Sequence, residues 1–216
     1  MSESINPGNR TRHVWAVGRN YTDHAKEMNA ALPKQPLFFL KGGGTVTTSD
    51  KIYFPAWTRN IHHELELAYL IEKSGDQFML THITLALDLT ERDIQAGAKK
   101  NGEPWTLAKS FTGSCPLSKW LKISDSNYYF ELKVNGLMRQ KGSLNEMIFN
   151  PKTLLSFAVN HFPVEDGDVL LTGTPAGVNA LITGDKIDAT LWSEPPSDGP
   201  ESSSKQPILA CHWDVV

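Results

Sequence analysis

His62-His63-Glu64-Leu65-Glu66-Leu67-Ala68 sets two carboxylates two residues apart inside an apolar run. Read as a β-strand, the run sends Glu64 and Glu66 to one face and Leu65 and Leu67 to the other. Two like charges side by side repel, and a buried anion needs a cationic partner or a metal. A solvated face of a half-buried antiparallel strand accounts for the same pattern. A third anion bears on the choice. Ile83-Thr84-Leu85-Ala86-Leu87-Asp88-Leu89-Thr90 is strand-like and apolar apart from Asp88, which as a strand-end residue could also cap a turn. Glu64, Glu66 and Asp88 together would form an all-oxygen site suited to Mg²⁺, Mn²⁺ or Ca²⁺ rather than to zinc or copper. His62 and His63 adjoin the pair, but no other histidine stands at metal-site spacing from them, so they read as structural neighbours of the site.

Outward from this stretch, period-two patterns dominate. Residues 13–18, 36–41, 51–55, 64–72, 168–172, 186–191 and 208–213 read as strands. Phe130 to Val134, Asn135-Gly136 and Leu137 to Gln140 carry a strong hairpin signal. Helices are expected from Asn20 to Met28 with Asn20 or Thr22 as N-cap, and from Glu91 to Lys100 with Lys99-Lys100 complementing the helix dipole. A third is expected from Lys152 to Asn160 after Pro151. Gly167-Asp168 and Gly184-Asp185 read as turns before strands. Gly42-Gly43-Gly44 reads as a turn or as a close approach of backbone to a ligand. The fold class is therefore mainly β with short helices (α+β), mostly antiparallel.

At 216 residues and 24.0 kDa, one substantial core suffices. A single domain over residues 1–216 is expected, with 1–12 extended and 193–206, rich in Ser, Pro, Gly and Glu, forming an exposed loop. A net charge of −3 and 40% hydrophobic residues argue against a disordered chain or a nucleic-acid surface. Cys115 and Cys211 lack CxxC spacing and fit reduced thiols with no catalytic part. No stretch is apolar enough to cross a bilayer and the N-terminus lacks an apolar leader core, so a soluble, cytoplasmic protein without membrane partners is expected.

Five linked motifs go further than pattern. They are Val17-Gly18-Arg19-Asn20-Tyr21 with His24 and Glu27; His63 to Leu67; Asp88-Leu-Thr-Glu-Arg92-Asp-Ile-Gln95; Trp105-Thr-Leu-Ala-Lys109-Ser-Phe; and Leu171-Thr-Gly-Thr-Pro-Ala-Gly-Val178. In order and spacing this set, over residues 13–191, resembles the fumarylacetoacetate hydrolase family, nearest its short single-domain acylpyruvase and oxaloacetate decarboxylase branch. The resemblance implies a mixed β-sandwich roll, a homodimer, and Mg²⁺ or Mn²⁺ held by Glu64, Glu66 and Asp88, with Ca²⁺ as an alternative occupant. It also implies Lys109 beside the metal, Arg19, Arg92 and Gln95 toward the substrate, Thr174 on the substrate carboxylate, and a His24/Glu27 dyad as general base. Helical i, i+3 spacing would put His24 and Glu27 on one face, where the carboxylate can orient the imidazole. Lys41 is followed by Gly42-Gly43-Gly44 where relatives often carry a Pro and a hydroxyl residue, which bears on local substrate contacts.

The implied chemistry is that of a small 2-oxo acid chelated to the metal and passing through an enolate. Acylpyruvate hydrolysis with C–C cleavage and oxaloacetate decarboxylation share that enolate. Isomerisation or decarboxylation of a dienedioate of aromatic catabolism is the alternative within the family. A non-catalytic, metal-stabilised binding protein is the alternative outside it.

Overall fold

The computed structural model describes residues 11–22, 33–195 and 206–216. Among them the strands are β1 His13–Gly18, β2 Leu37–Gly42, β3 Val46–Thr47, β4 Lys51–Ile52, β5 Ile61–His63, β6 Leu65–Ser74, β7 Gln77–Leu87 and β8 Thr90–Glu91. They continue as β9 Cys115–Pro116, β10 Leu121–Lys122, β11 Tyr129–Val134, β12 Leu137–Ser143, β13 Val169–Leu171, β14 Asn179–Ala180, β15 Lys186–Trp192 and β16 Leu209–Val215. The helices are α1 Arg92–Asn101, α2 Thr106–Lys109 and α3 Pro151–His161. The chain is mainly β with short helices, as its periodicity predicts.

A six-stranded sheet in the order β10-β7-β6-β13-β1-β2 is joined by a five-stranded sheet in the order β12-β11-β15-β16-β4. Alternation along β6 explains how the two meet. Leu65, Leu67, Tyr69 and Ile71 point into one core, where they join Phe130, Leu132, Ile187, Leu191 and Trp213 from the five-stranded sheet. Truncating a fully buried member such as Leu67 to Ala costs about 2–5 kcal/mol on general grounds. The opposite face of β6 carries Glu66 and Ala68 and shares a smaller cluster with Val14, Ala16, Ala86, Val169 and Leu171. Small alanines on that face leave room beside the carboxylates.

Most pairings are antiparallel, but β1 runs parallel to β13 between their antiparallel neighbours. Asp168 fastens that pair. Its buried carboxylate accepts from the His13 N–H at 3.0 Å, the Trp15 indole N–H at 2.9 Å and the Glu165 N–H at 2.9 Å. The residue read as a turn former thus also ties two strands together. Asn135 and Gly136 both have positive φ, 53° and 77°, which is the twist a two-residue hairpin loop requires.

Three local expectations change. The run 64–72 is interrupted at Glu64, because β5 pairs with β8 and β14 whereas β6 pairs with β7 and β13, and the Leu65 N–H donates to the Gln140 side chain at 3.0 Å. The run 51–55 is strand only at Lys51–Ile52, consistent with Pro55 having no N–H to offer. Gly43 answers a packing need, since a Cβ there would lie 1.9 Å from the Thr11 carbonyl oxygen. The expected helix from Asn20 falls mostly on residues 23–32, outside the described residues, as does most of the expected 193–206 loop.

Candidate metal centre and active-site cavity

Antiparallel pairing of β6 and β7 builds the acidic cluster. Leu65 lies opposite Leu87 and Glu66 opposite Ala86, and the Asp88 N–H donates to the Glu64 carbonyl at 2.8 Å. Directly opposed residues share a face, so Asp88 comes to the side that Glu64 and Glu66 already occupy. The three carboxylates offer oxygens that all lie within 4.8 Å of one another, and all three residues are buried.

Three cations hold this cluster. The Lys109 ammonium, at the end of α2, donates to Glu64 Oε2 at 2.8 Å and to Asp88 Oδ2 at 2.5 Å. Arg92, the first residue of α1, donates to Glu64 Oε1 at 2.6 Å and to Gln95 Oε1 at 2.7 Å. Lys41, with no exposed surface, donates to Asp88 Oδ1 at 2.8 Å and to the Lys109 carbonyl. Glu66 differs from its neighbours. It accepts the Gly173 N–H at 2.6 Å, and burial, then Asp88 and Glu64, hold its carboxyl well above the usual range. The Lys109 ammonium stays protonated, its pKa raised because Asp88 and Glu64 outweigh its burial.

This donor set fits a hard divalent cation. It consists of carboxylate oxygens with no thiolate or imidazole, and Glu66 is penalised by burial and then by Asp88 and Glu64, which the Lys109 ammonium offsets only in part. With all six side chains ionised, three negative charges balance three positive ones.

A cavity of about 130 Å³ opens on the cluster. That is near the ~150 Å³ that accommodates a six-membered ring, a space on the scale of a small molecule. Arg19, Glu64, Glu66, Arg92, Gln95, Lys109 and Thr174 line it, while Asp88 lies behind them. The structure therefore brings together every described residue that the sequence singled out. His24 and Glu27 lie outside the described residues.

The cavity sits at the carboxyl ends of the parallel strands β1 and β13. Arg19 follows β1 in the left-handed region, φ 59°, which a non-glycine residue adopts at a cost of about 1–2 kcal/mol. After β13, Gly173 at φ 92° passes so close to Asn20 that a Cβ would lie 2.8 Å from the Asn20 Cβ. Asn20 ties the two loops by donating to the Thr172 carbonyl at 2.8 Å and the Phe149 carbonyl at 2.9 Å. Its Oδ1 in turn accepts the Phe149 N–H at 2.8 Å. Helix α1 is anchored by Glu91, whose carboxylate caps the Ile94 N–H at 2.7 Å, and ends at Gly102 in the left-handed region.

Several site residues escape a reading of the sequence. Lys41 looks like the end of a strand, although it shares a face with Phe39, which lines the cavity. Gln140 looks like the end of a hairpin, yet it is buried and bonds His63 at 2.9 Å, Leu65 at 3.0 Å and the Thr174 hydroxyl at 2.7 Å. That hydroxyl in turn donates to the Leu65 carbonyl at 2.8 Å. A shift of register within the β11–β12 pairing, between Leu132 and Lys133, carries the partner of Lys133 from Arg139 to Met138. Lys99 and Trp105 also line the cavity, and the only forward signal for Lys99 is its place seven residues after Arg92 on one helix.

The family model described as fumarylacetoacetate (FAA) hydrolase C-terminal matches residues 13–202. The chain belongs to the fumarylacetoacetate hydrolase family. Among its relatives, the oxaloacetate tautomerase FAHD1, mitochondrial, of Bos taurus is 42% identical, over 83% of this chain and 87% of its own. The oxaloacetate decarboxylase, mitochondrial, of Dictyostelium discoideum is 39% identical, over 82% of this chain and 87% of its own. In three dimensions the fold matches a fumarylpyruvate hydrolase from Pseudomonas aeruginosa crystallised with Mn²⁺ and pyruvate. The TM-score is 0.81 at 28% identity, with 95% of this chain and 90% of that one covered. Membership of this enzyme family accounts for the five motifs and for the cavity they line. Among the described residues of this family member, no helix is long and apolar enough to cross a membrane.

Proposed function

We propose that Glu64, Glu66 and Asp88 hold Mg²⁺ or Mn²⁺ and that the cavity binds a small 2-oxo acid, which reacts through its enolate. The observation that carries this reading is the buried cluster of three carboxylates opening on a cavity also lined by Arg19, Arg92, Lys99 and Lys109. A divalent cation bound there supplies Lewis-acid stabilisation of the charge that develops on the 2-oxo oxygen. With Arg19 and Lys99 also lining the cavity, an added divalent cation leaves the site net positive, which suits an anionic acid and its enolate.

The residues divide the remaining work. Lys109 and Arg92 fix the orientation of Glu64 and Asp88 and place positive charge beside the cavity. Gln95 is held by Arg92 and presents its amide to the acid. The Thr174 hydroxyl spends its proton on the Leu65 carbonyl, and the N–H groups of Thr172 and Gly173 go to Leu67 and Glu66, so toward a substrate carboxylate Thr174 offers its own backbone N–H. Arg19 supplies a guanidinium from the strained end of β1. His24, oriented by Glu27, is assigned the proton transfers at carbon or water.

Oxaloacetate is the first substrate to test, because two of the relatives described above bear its name. Hydrolysis of an acylpyruvate is the second, favoured by the likeness to a fumarylpyruvate hydrolase. The enolate is common to both. A single domain acting as a homodimer in the cytoplasm completes the reading. Turnover of oxaloacetate and acetylpyruvate with Mg²⁺ or Mn²⁺, against a chelated control, tests it. Metal-dependent loss of either substrate is the expected result; metal-independent or absent turnover of both contradicts it.

A further inference from the structure

The cavity has a second end. Arg92, Gln95 and Lys99 stand at positions i, i+3 and i+7 of α1, so they line one face of that helix. Arg92 touches the acidic cluster, and Lys99 lies seven residues on, about 10 Å along the helix axis. Phe39 and Trp105 give the same cavity an aromatic wall. The Phe39 and Trp105 rings are 5.8 Å apart, the Lys109 ammonium stands 4.9 Å from the Phe39 ring, and the Lys99 ammonium stands 5.2 Å from the Trp105 ring. A cation therefore marks each end of the wall. Lys109 is committed to Glu64 and Asp88, whereas the described contact of Lys99 is with the indole face. Burial and then the Arg92 guanidinium push its ammonium down to about 8, Glu64 pulls it the other way, and Arg19 and Lys109 act with Arg92.

Resting on the enolate reading above, we propose that Lys99 receives the far carboxylate of a four-carbon 2-oxo dicarboxylate. By holding charge there, it steers the bound acid toward keto–enol exchange and away from loss of CO₂. The two reactions place charge differently. In keto–enol exchange the C3–H bond breaks, its proton passes to a base, and its electron pair moves toward the C2 oxygen. The far carboxylate keeps its charge throughout, and its pairing with Lys99 persists in the transition state. In decarboxylation the C3–C4 bond breaks, its electron pair moves toward the C2 oxygen, and the far carboxylate departs as neutral CO₂. A cation on that carboxylate then stabilises the ground state more than the transition state and raises the barrier.

The test compares two rates in one protein. Lys99→Met keeps an apolar stem against Trp105 and removes the charge, and Lys99→Arg restores charge. For each Mg²⁺-loaded protein, keto–enol exchange of oxaloacetate and CO₂ release are measured together, and oxalate affinity is measured by calorimetry. Oxalate has no far end, so it reports on the metal end alone. The expected result is that Lys99→Met raises the ratio of CO₂ release to exchange about tenfold or more, raises KM for exchange and holds the oxalate Kd within about twofold, with Lys99→Arg near wild type. An unchanged or lowered ratio in Lys99→Met with oxalate binding intact overturns the role of Lys99 and leaves the enolate reading standing. A wild-type protein that neither binds oxalate with metal nor turns over oxaloacetate overturns both.

Discussion

Asp168 and Glu66 are both buried carboxylates, one just before β13 and the other on β6 and bonded to Gly173 just after β13, and they are provisioned in opposite ways. Asp168 is surrounded by donors from the His13 and Glu165 backbones and from the Trp15 indole, so its charge is met by the fold itself. Glu66 accepts the Gly173 N–H, and burial first and then Asp88 and Glu64 push its proton affinity up against the weaker pull of Lys109. A carboxylate with a full set of donors serves structure; one left facing its own kind awaits a cation.

The strongest way to break this comparison is to delete ligands on one side of it. Glu66→Ala and Asp88→Ala are each expected to lower metal-dependent turnover by at least about 10³-fold, since the charge-stabilising ion is lost with them. Steady-state kinetics over a Mg²⁺ titration checks this, and turnover within tenfold of wild type would place the ion elsewhere. His24→Ala is expected to depress hydrolysis of acetylpyruvate by about 10²–10⁴-fold while metal affinity stays near wild type. Unchanged hydrolysis in that variant removes His24 from the mechanism.

Stability sharpens the same contrast. Asp168→Ala leaves buried donors unanswered and is expected to cost about 3–5 kcal/mol by denaturant unfolding, whether or not metal is present. Metal-free Glu66→Gln, which removes a crowded charge but keeps an acceptor for Gly173, is expected to be at least as stable as wild type. Saturating Mg²⁺ should then stabilise wild type by about 2–3 kcal/mol at a hundredfold excess over Kd, and Glu66→Gln by much less. If both carboxylates prove equally costly to neutralise without metal, the distinction between them fails.

The smallest expected effect concerns the outer end of the cavity. A lysine whose pKa is lowered is charged below that pKa and neutral above it, and for Lys99 the value is about 8. Facing it are Arg92 from its own helix, Arg19 after β1, Lys109 in α2 and Glu64 between β5 and β6. The ratio of CO₂ release to keto–enol exchange should rise severalfold between about pH 7 and about pH 9, and this rise should vanish in Lys99→Met.

What could be read in the sequence follows the range of the interactions. Glu64 and Glu66 are visible because strand parity is a two-residue rule, and the hairpin at Asn135-Gly136 because its turn chemistry is local. Asp88 is visible as the lone anion in an apolar run, although only the β6–β7 register puts it opposite Glu64, while the motif resemblance points to Arg92, Gln95, Lys109 and Thr174. Lys41 and Gln140 stayed hidden. One is a lysine whose charge is answered 47 residues away, and the other reaches Thr174 only because the β11–β12 register shifts beside it. In sequence Lys99 is one half of a basic helix end, yet Lys99 lines the cavity, and the neighbouring Lys100 is not among the residues that line it. Helical periodicity marks which face a residue shares, but which face meets a cavity is decided by packing.

The most direct test of the central claim is anomalous diffraction at the manganese edge from crystals grown with Mn²⁺ and oxalate. The account predicts one strong peak among the carboxylates of Glu64, Glu66 and Asp88, with oxalate in the cavity beside Lys109. A manganese peak elsewhere, with Lys109 still bridging Glu64 and Asp88, would contradict it.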